Sequence, residues 1–121
     1  MNATATNSAT NSATDFIDDG YNQTATIEPE QGLHGELNIT FRPALAEQTA
    51  DLIDAGTNDK LYTSRAIDML PALLLGWTLK DSAGAVVPIN RANVARVRRP
   101  LLVKVIRTVF FSEAPEASLK N

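Results

Sequence analysis

The chain has no cysteine, one histidine, one tryptophan and no long apolar run. Without cysteine there can be neither a disulfide framework nor a thiolate site. The longest strictly apolar stretches fall far short of the roughly 20 residues that cross a bilayer. The opening MNATATNSATNSATDF has neither a basic nor an apolar region, so it does not look like a secretory signal. These absences argue against a disulfide-rich secreted protein and against a membrane protein.

Residues that could perform catalysis are scarce. A lone His34 without cysteine cannot supply the usual zinc ligands, and nothing near it suggests an activated serine with a carboxylate. The acidic pairs Asp18–Asp19 and Asp51/Asp54 fall in a predicted linker and on the solvent side of a predicted helix. The glycines are scattered and form no phosphate loop. We therefore expect no enzymatic activity, no metal site and no cofactor.

Charge is divided unevenly along the chain. Residues 1–60 hold ten acids and two bases (net −8), whereas residues 61–121 hold four acids and nine bases (net +5). Three interpretations are open: nucleic-acid binding by the basic half, pairing of acidic and basic faces between copies, or two solvated faces. The pI near 5.0 and the lack of a docking motif disfavour nucleic acid. We expect self-association through Arg96, Arg98 and Arg99, within a run of six bases that no acid interrupts.

The composition divides the chain into three parts. Residues 1–20 form a Thr/Asn/Ser-rich arm and an acidic linker, which has too few large apolar residues to offset the entropy lost on ordering. We therefore expect this part to be disordered. Residues 21–112 are predicted to form a single folded domain, and residues 113–121 a flexible polar tail.

Two strands are predicted at the start of the domain. Apolar and polar residues alternate from Tyr21 to Ile27 and again from Leu33 to Phe41, and Pro29 and Gly32 interrupt the pattern between them. Alternation with period two is typical of half-buried strands. The two segments are therefore expected to pair as an antiparallel hairpin.

Helical spacing of apolar residues follows these strands. Pro43 can begin one helix, and Asn58 can cap the next one. The apolar stripe of the second helix is expected to continue as far as Trp77 and to end at Gly76. Pro71 lies inside this stripe, where it must kink or split the helix.

A second hairpin and two more helices complete the prediction. Trp77–Leu79 alternates like a strand, Asp81–Gly84 is a tight turn, and a return strand carries Pro88, which restricts it to an edge. Asn90 can cap a short helix, and Pro100 can begin the last one. The predicted fold is a small α+β domain, mainly helical, with an N-terminal β-hairpin and a short second hairpin between helices.

The segment LLLGWTLKDSAGAVVPINRANV resembles a pattern in the tail assembly chaperones of long-tailed, siphovirus-type bacteriophages. The pattern is an apolar helix, a tryptophan, a polar turn, a Val-Pro-apolar return and a capped short helix. With the strands before it and the apolar helix after it, the match covers about three quarters of the chain. The matching positions are Trp77, Asp81, Gly84, Val87, Pro88, Ile89, Asn90 and Val94.

The resemblance implies a binding protein. Tail assembly chaperones coat the tape-measure protein, keep it soluble and recruit major tail-tube subunits, and they act in the cytoplasm of the infected bacterium. By this interpretation Leu74, Leu75 and Phe111 contact the partner, since the apolar runs around them exceed what one helix face requires. Two alternatives stay open: a structural tail or head–tail connector subunit of the virion, and a small nucleic-acid-binding regulator.

Overall fold

A computed structural model describes residues 16–112 and gives the α+β fold that the sequence predicts. The predictions for the arm up to residue 15 and for the tail from residue 113 lie outside the described residues. In chain order the elements are β1 (Gln23–Ile27), β2 (Leu37–Phe41), α1 (Ala46–Ile53), α2 (Asp59–Leu73), β3 (Leu74–Trp77), α3 (Arg91–Val94) and α4 (Arg99–Phe111).

The three strands form one antiparallel sheet in the order β1-β2-β3. Ile39 of β2 lies opposite Ala25 of β1 on one side and Trp77 of β3 on the other. All three of these residues are buried, whereas Asn38, which directly precedes Ile39 in β2, is exposed. One face of the sheet therefore belongs to the core, as the alternation in β1 and β2 predicts.

Helices α2 and α4 supply much of the remaining core. Asn58 caps α2 by accepting a hydrogen bond from the Leu61 backbone N–H at 3.0 Å. Pro100 lies in the first turn of α4, where its missing N–H costs little. Seven side chains of α4 are buried, and they are Leu101, Leu102, Val105, Ile106, Thr108, Val109 and Phe110. No helix in the range 16–112 combines the length and apolar character needed to span a membrane.

The end of the apolar stripe predicted for the second helix differs from the prediction. Helix α2 ends at Leu73, and Leu74–Trp77 is the third strand of the sheet, so the prediction of a helix up to Gly76 is wrong. The cause is non-local pairing, because β3 docks on β2 with a register irregularity between Thr40 and Phe41. Strand pairing of this kind leaves no periodic signal in an all-apolar run.

Two smaller differences concern the helices. The spacing of Leu45, Leu52 and Ile53 in the sequence predicts one apolar stripe, but only Leu52 is fully buried, whereas Ile53 and Leu45 are 60% and 40% exposed. Pro71 does not split α2, which continues through it for two more residues. At this position near the C-terminal end, proline removes one hydrogen bond without interrupting several turns.

Candidate functional site

The segment that carries the sequence resemblance forms a hairpin at residues 77–89, and hydrogen bonds hold its turn and its two arms. The Asp81 carboxylate accepts hydrogen bonds from the backbone N–H groups of Ala83 at 2.9 Å and Ala85 at 3.0 Å. Gly84 has φ of +84°, a left-handed conformation that glycine adopts without strain. The arms are joined by a hydrogen bond from the Val87 N–H to the Leu79 carbonyl at 2.8 Å. Aspartate and glycine in this turn thus have defined structural roles.

Side chains fix this hairpin to the domain. Trp77 is 8% exposed, and its indole N–H donates to the Val87 carbonyl at 2.7 Å. Asn90 caps α3 by accepting from the Asn93 N–H at 2.8 Å, and the Asn93 amide donates to the Pro88 carbonyl at 2.8 Å. The hairpin is therefore held in one position relative to the sheet and α3.

The three predicted partner-binding residues have different environments. Leu74 is 4% exposed and lies in the core, because β3 turns it to the buried side of the sheet opposite Phe41. Its assignment to the partner surface is therefore corrected. Leu75, the next residue in the strand, points away and is 55% exposed. Phe111 is half-buried at the end of α4 and packs against the edge of the core.

The three predicted self-association arginines also separate. Arg99 is paired with Asp59 of its own chain, with the nitrogen and oxygen 2.7 Å apart. Arg96 and Arg98 instead line an open cleft of about 640 Å³ between the hairpin and the segment linking α3 to α4, together with Lys80. We call this the basic cleft; its apolar lining consists of Leu79, Val87, Pro88, Val97 and Leu101.

The basic cleft brings together positive charges that have no carboxylate oxygen within 4 Å among residues 16–112. Within residues 16–112, five of the ten lysines and arginines have a carboxylate oxygen within 4 Å. Lys80, Arg96 and Arg98 are among the five that do not. The carboxylate that lines the cleft, that of Asp81, is engaged by the backbone N–H groups of its turn. The cleft therefore has a net positive charge and a partly apolar lining.

His34 lies at the edge of this cleft, with its side chain only 2% exposed. Its Nδ1 is 2.8 Å from the Gly35 carbonyl oxygen, and its Nε2 is 2.9 Å from the Lys104 ammonium. A carbonyl only accepts and an ammonium only donates, so the proton of the neutral ring lies on Nδ1. Lys104 also donates to Glu30 at 2.5 Å. Its hydrogen bond and its charge lower the pKa of Glu30.

The part of the chain from residue 16 to residue 112 contains no group of three or more His, Cys, Asp or Glu side chains placed to hold a metal ion. Comparison of the chain with protein-family models, with curated proteins and with solved structures finds no match. The site is therefore interpreted from its own geometry and from the sequence pattern.

Sequence reasoning did not identify the cleft as a unit. Its basic side chains come from the hairpin and from the segment between α3 and α4, and His34 comes from the connection between β1 and β2. Lys80 had no signal in the sequence, since it is an isolated lysine in a turn. The run of six bases did indicate Arg96 and Arg98, but only the fold distinguishes them from Arg99.

Proposed function

We propose that this protein is a phage tail assembly chaperone that coats the tape-measure protein and keeps it soluble while tail-tube subunits are recruited. It acts in the cytoplasm of the infected bacterium and performs no bond chemistry. The observation that carries the proposal is the segment from Leu73 to Val94. The positions on which its resemblance to these chaperones rests include Trp77, Asp81 and Gly84, which hold the hairpin, and Asn90, which caps α3.

An exposed apolar residue directly before the hairpin supports the same proposal. Leu75 is 55% exposed on β3, an edge strand of the sheet. A tape-measure protein is long and amphipathic, so its apolar stripe aggregates unless another surface covers it. Burying one large apolar side chain contributes roughly 1.5–3 kcal/mol. Contacts of this size are weak and reversible one by one.

Repetition converts such weak contacts into stable coating. A long partner offers many equivalent segments, and each additional bound copy acts at a high effective concentration. An apolar helix face can be bound by a few well-placed apolar side chains. Leu75 and Phe111 are the side chains that we assign to this contact, since the first is exposed and the second lies at the edge of the core.

The proposal predicts a selective loss of binding in Leu75→Asp. The chain is co-expressed with the tape-measure protein encoded in the same genome, and the amount of that protein recovered with the chain is measured. We expect Leu75→Asp to reduce recovery at least about tenfold, because a charge at the contact must be desolvated. Leu75→Met should retain binding, since it keeps the apolar volume.

Ile53→Asp is the matched control, because Ile53 is 60% exposed on α1 and is not assigned to the contact. It should fold and bind as the unchanged protein does. Equal recovery with Leu75→Asp, when its melting temperature is unchanged, would contradict the assigned contact. Detection of the chain in purified particles would instead favour a structural subunit of the virion.

A further inference from the structure

The basic cleft and an acidic segment of the same chain have complementary chemistry. The segment Phe16–Asp19 has the sequence FIDD, in which Phe16 is 73% exposed and both aspartates are exposed. It combines one large apolar side chain with two negative charges. The cleft combines an apolar lining with the positive charges of Lys80, Arg96 and Arg98. Matching of this kind directs association and sets its register.

The fold separates these two features within one molecule. Asp19 is 3.7 Å from Arg42, which directly follows the last residue of β2. The cleft is lined by His34 and Gly35, which precede the first residue of β2. A five-residue strand spans roughly 14 Å. The acidic segment therefore lies at the opposite end of the sheet from the cleft of its own chain.

We propose that the basic cleft of one copy binds the Phe16–Asp19 segment of a second copy. The exposed ion pair between Asp19 and Arg42 contributes little and can be exchanged for contacts with the cleft. Because the two surfaces are different patches at opposite ends, the interface is heterologous. Such an interface generates either closed rings or open rows of copies, and a row has an unoccupied cleft at one end and an unbound acidic segment at the other.

Only the biological role of head-to-tail association rests on the proposed function. A row of copies would place successive apolar contact surfaces along a long tape-measure protein. The association itself belongs to the isolated chain and is measured without a partner. Failure of head-to-tail association would therefore leave the Leu75 contact standing, and failure of that contact would leave the association standing.

The test uses sedimentation velocity of the purified full chain and two double variants. Arg96→Gln/Arg98→Gln removes charge from the cleft, and Asp18→Asn/Asp19→Asn removes it from the segment. The unchanged chain should form larger species as its concentration rises, and moderate salt should dissociate them. Each variant alone should raise the apparent Kd at least about tenfold. Lys60→Gln/Arg107→Gln is the control matched in charge to the cleft variant, since both residues are exposed and lie outside the cleft, and it should associate normally.

Mixing the two variants gives the decisive result. The copy that is changed only in its segment has an intact cleft, which can bind the intact segment of the other variant. The remaining cleft and segment have both lost their charges, so a 1:1 dimer should form and nothing longer. A monomeric unchanged chain, normal association of either variant, or a mixture that stays monomeric overturns the proposal. Binding of a labelled DNA duplex that Arg96→Gln/Arg98→Gln abolishes, without self-association, also overturns it and assigns the cleft to nucleic acid.

Discussion

At the scale of single residues, individual polar side chains hold turns and connections in position. Asp81 organises the hairpin turn, and Trp77 joins the hairpin to the sheet through its indole N–H. His34 and Lys104 connect the turn between β1 and β2 to α4. The lone histidine is thus a buried side chain with a hydrogen-bond partner at each ring nitrogen.

The Glu30–Lys104 contact gives a residue-scale prediction for pH dependence. Lys104 lowers the pKa of Glu30, so the ion pair stabilises the fold above the ordinary pKa of glutamate. This contribution is lost as the pH falls through the lowered pKa of the folded state. In Lys104→Met the pKa of Glu30 should rise toward its ordinary value. An NMR titration of the Glu30 side-chain carboxyl carbon measures the change.

Arg107→Met, one turn further along α4, provides the control for this titration. Arg107 has no carboxylate within 4 Å among the described residues, so its removal should leave the pKa of Glu30 unchanged. An unchanged pKa in Lys104→Met would show that the contact does not form in solution.

At the scale of elements, most of the fold could be predicted because its signals are local. The alternation in β1 and β2, the Asn58 and Asn90 caps and the start of α4 near Pro100 are all present in the structure. β3 could not be predicted, because the apolar run before Trp77 fits a helix and a buried strand equally well. What decides between them is pairing with β2, more than thirty residues away in sequence.

The same distinction between local and distant contacts applies to the candidate site. The turn chemistry of the second hairpin could be identified from the Asp-Ser-Ala-Gly sequence alone. Leu74 is buried and Leu75 is exposed because β3 is a strand, in which neighbouring side chains point to opposite faces. The sequence pattern predicts a helix there, and it therefore places both residues on one surface. The pairing of Arg99 with Asp59 joins two distant segments and could not be anticipated either.

The turn of the hairpin at residues 77–89 gives a prediction about the stability of this element. Asp81→Ala removes the acceptor of two backbone N–H groups, and we expect it to lower the free energy of unfolding by about 1 kcal/mol. Hydrogen exchange of the amides of Ala83 and Ala85 should accelerate at the same time. Ser82→Ala changes an exposed residue of the same turn and should leave both measurements unaltered. Equal effects of the two substitutions would contradict the role assigned to Asp81.

At the scale of the whole molecule, the uneven charge along the sequence becomes an arrangement in space. Acidic residues precede β1 at one end of the sheet, and the basic cleft lies at the other end. The apolar side chain of Leu75 lies on an edge strand of that sheet. In our proposals the ends join copies to one another, while the apolar contact joins each copy to the tape-measure protein.

We propose that the chain keeps a tape-measure protein in solution, and the solubility of that protein is the measurement that tests this function without intermediate steps. The tape-measure protein of the same genome is expressed alone and together with the chain, and its soluble fraction is measured in each case. We expect the tape-measure protein to be largely insoluble alone and largely soluble with the chain, because its apolar stripe is then covered. A soluble fraction that does not change when the chain is present would contradict the account.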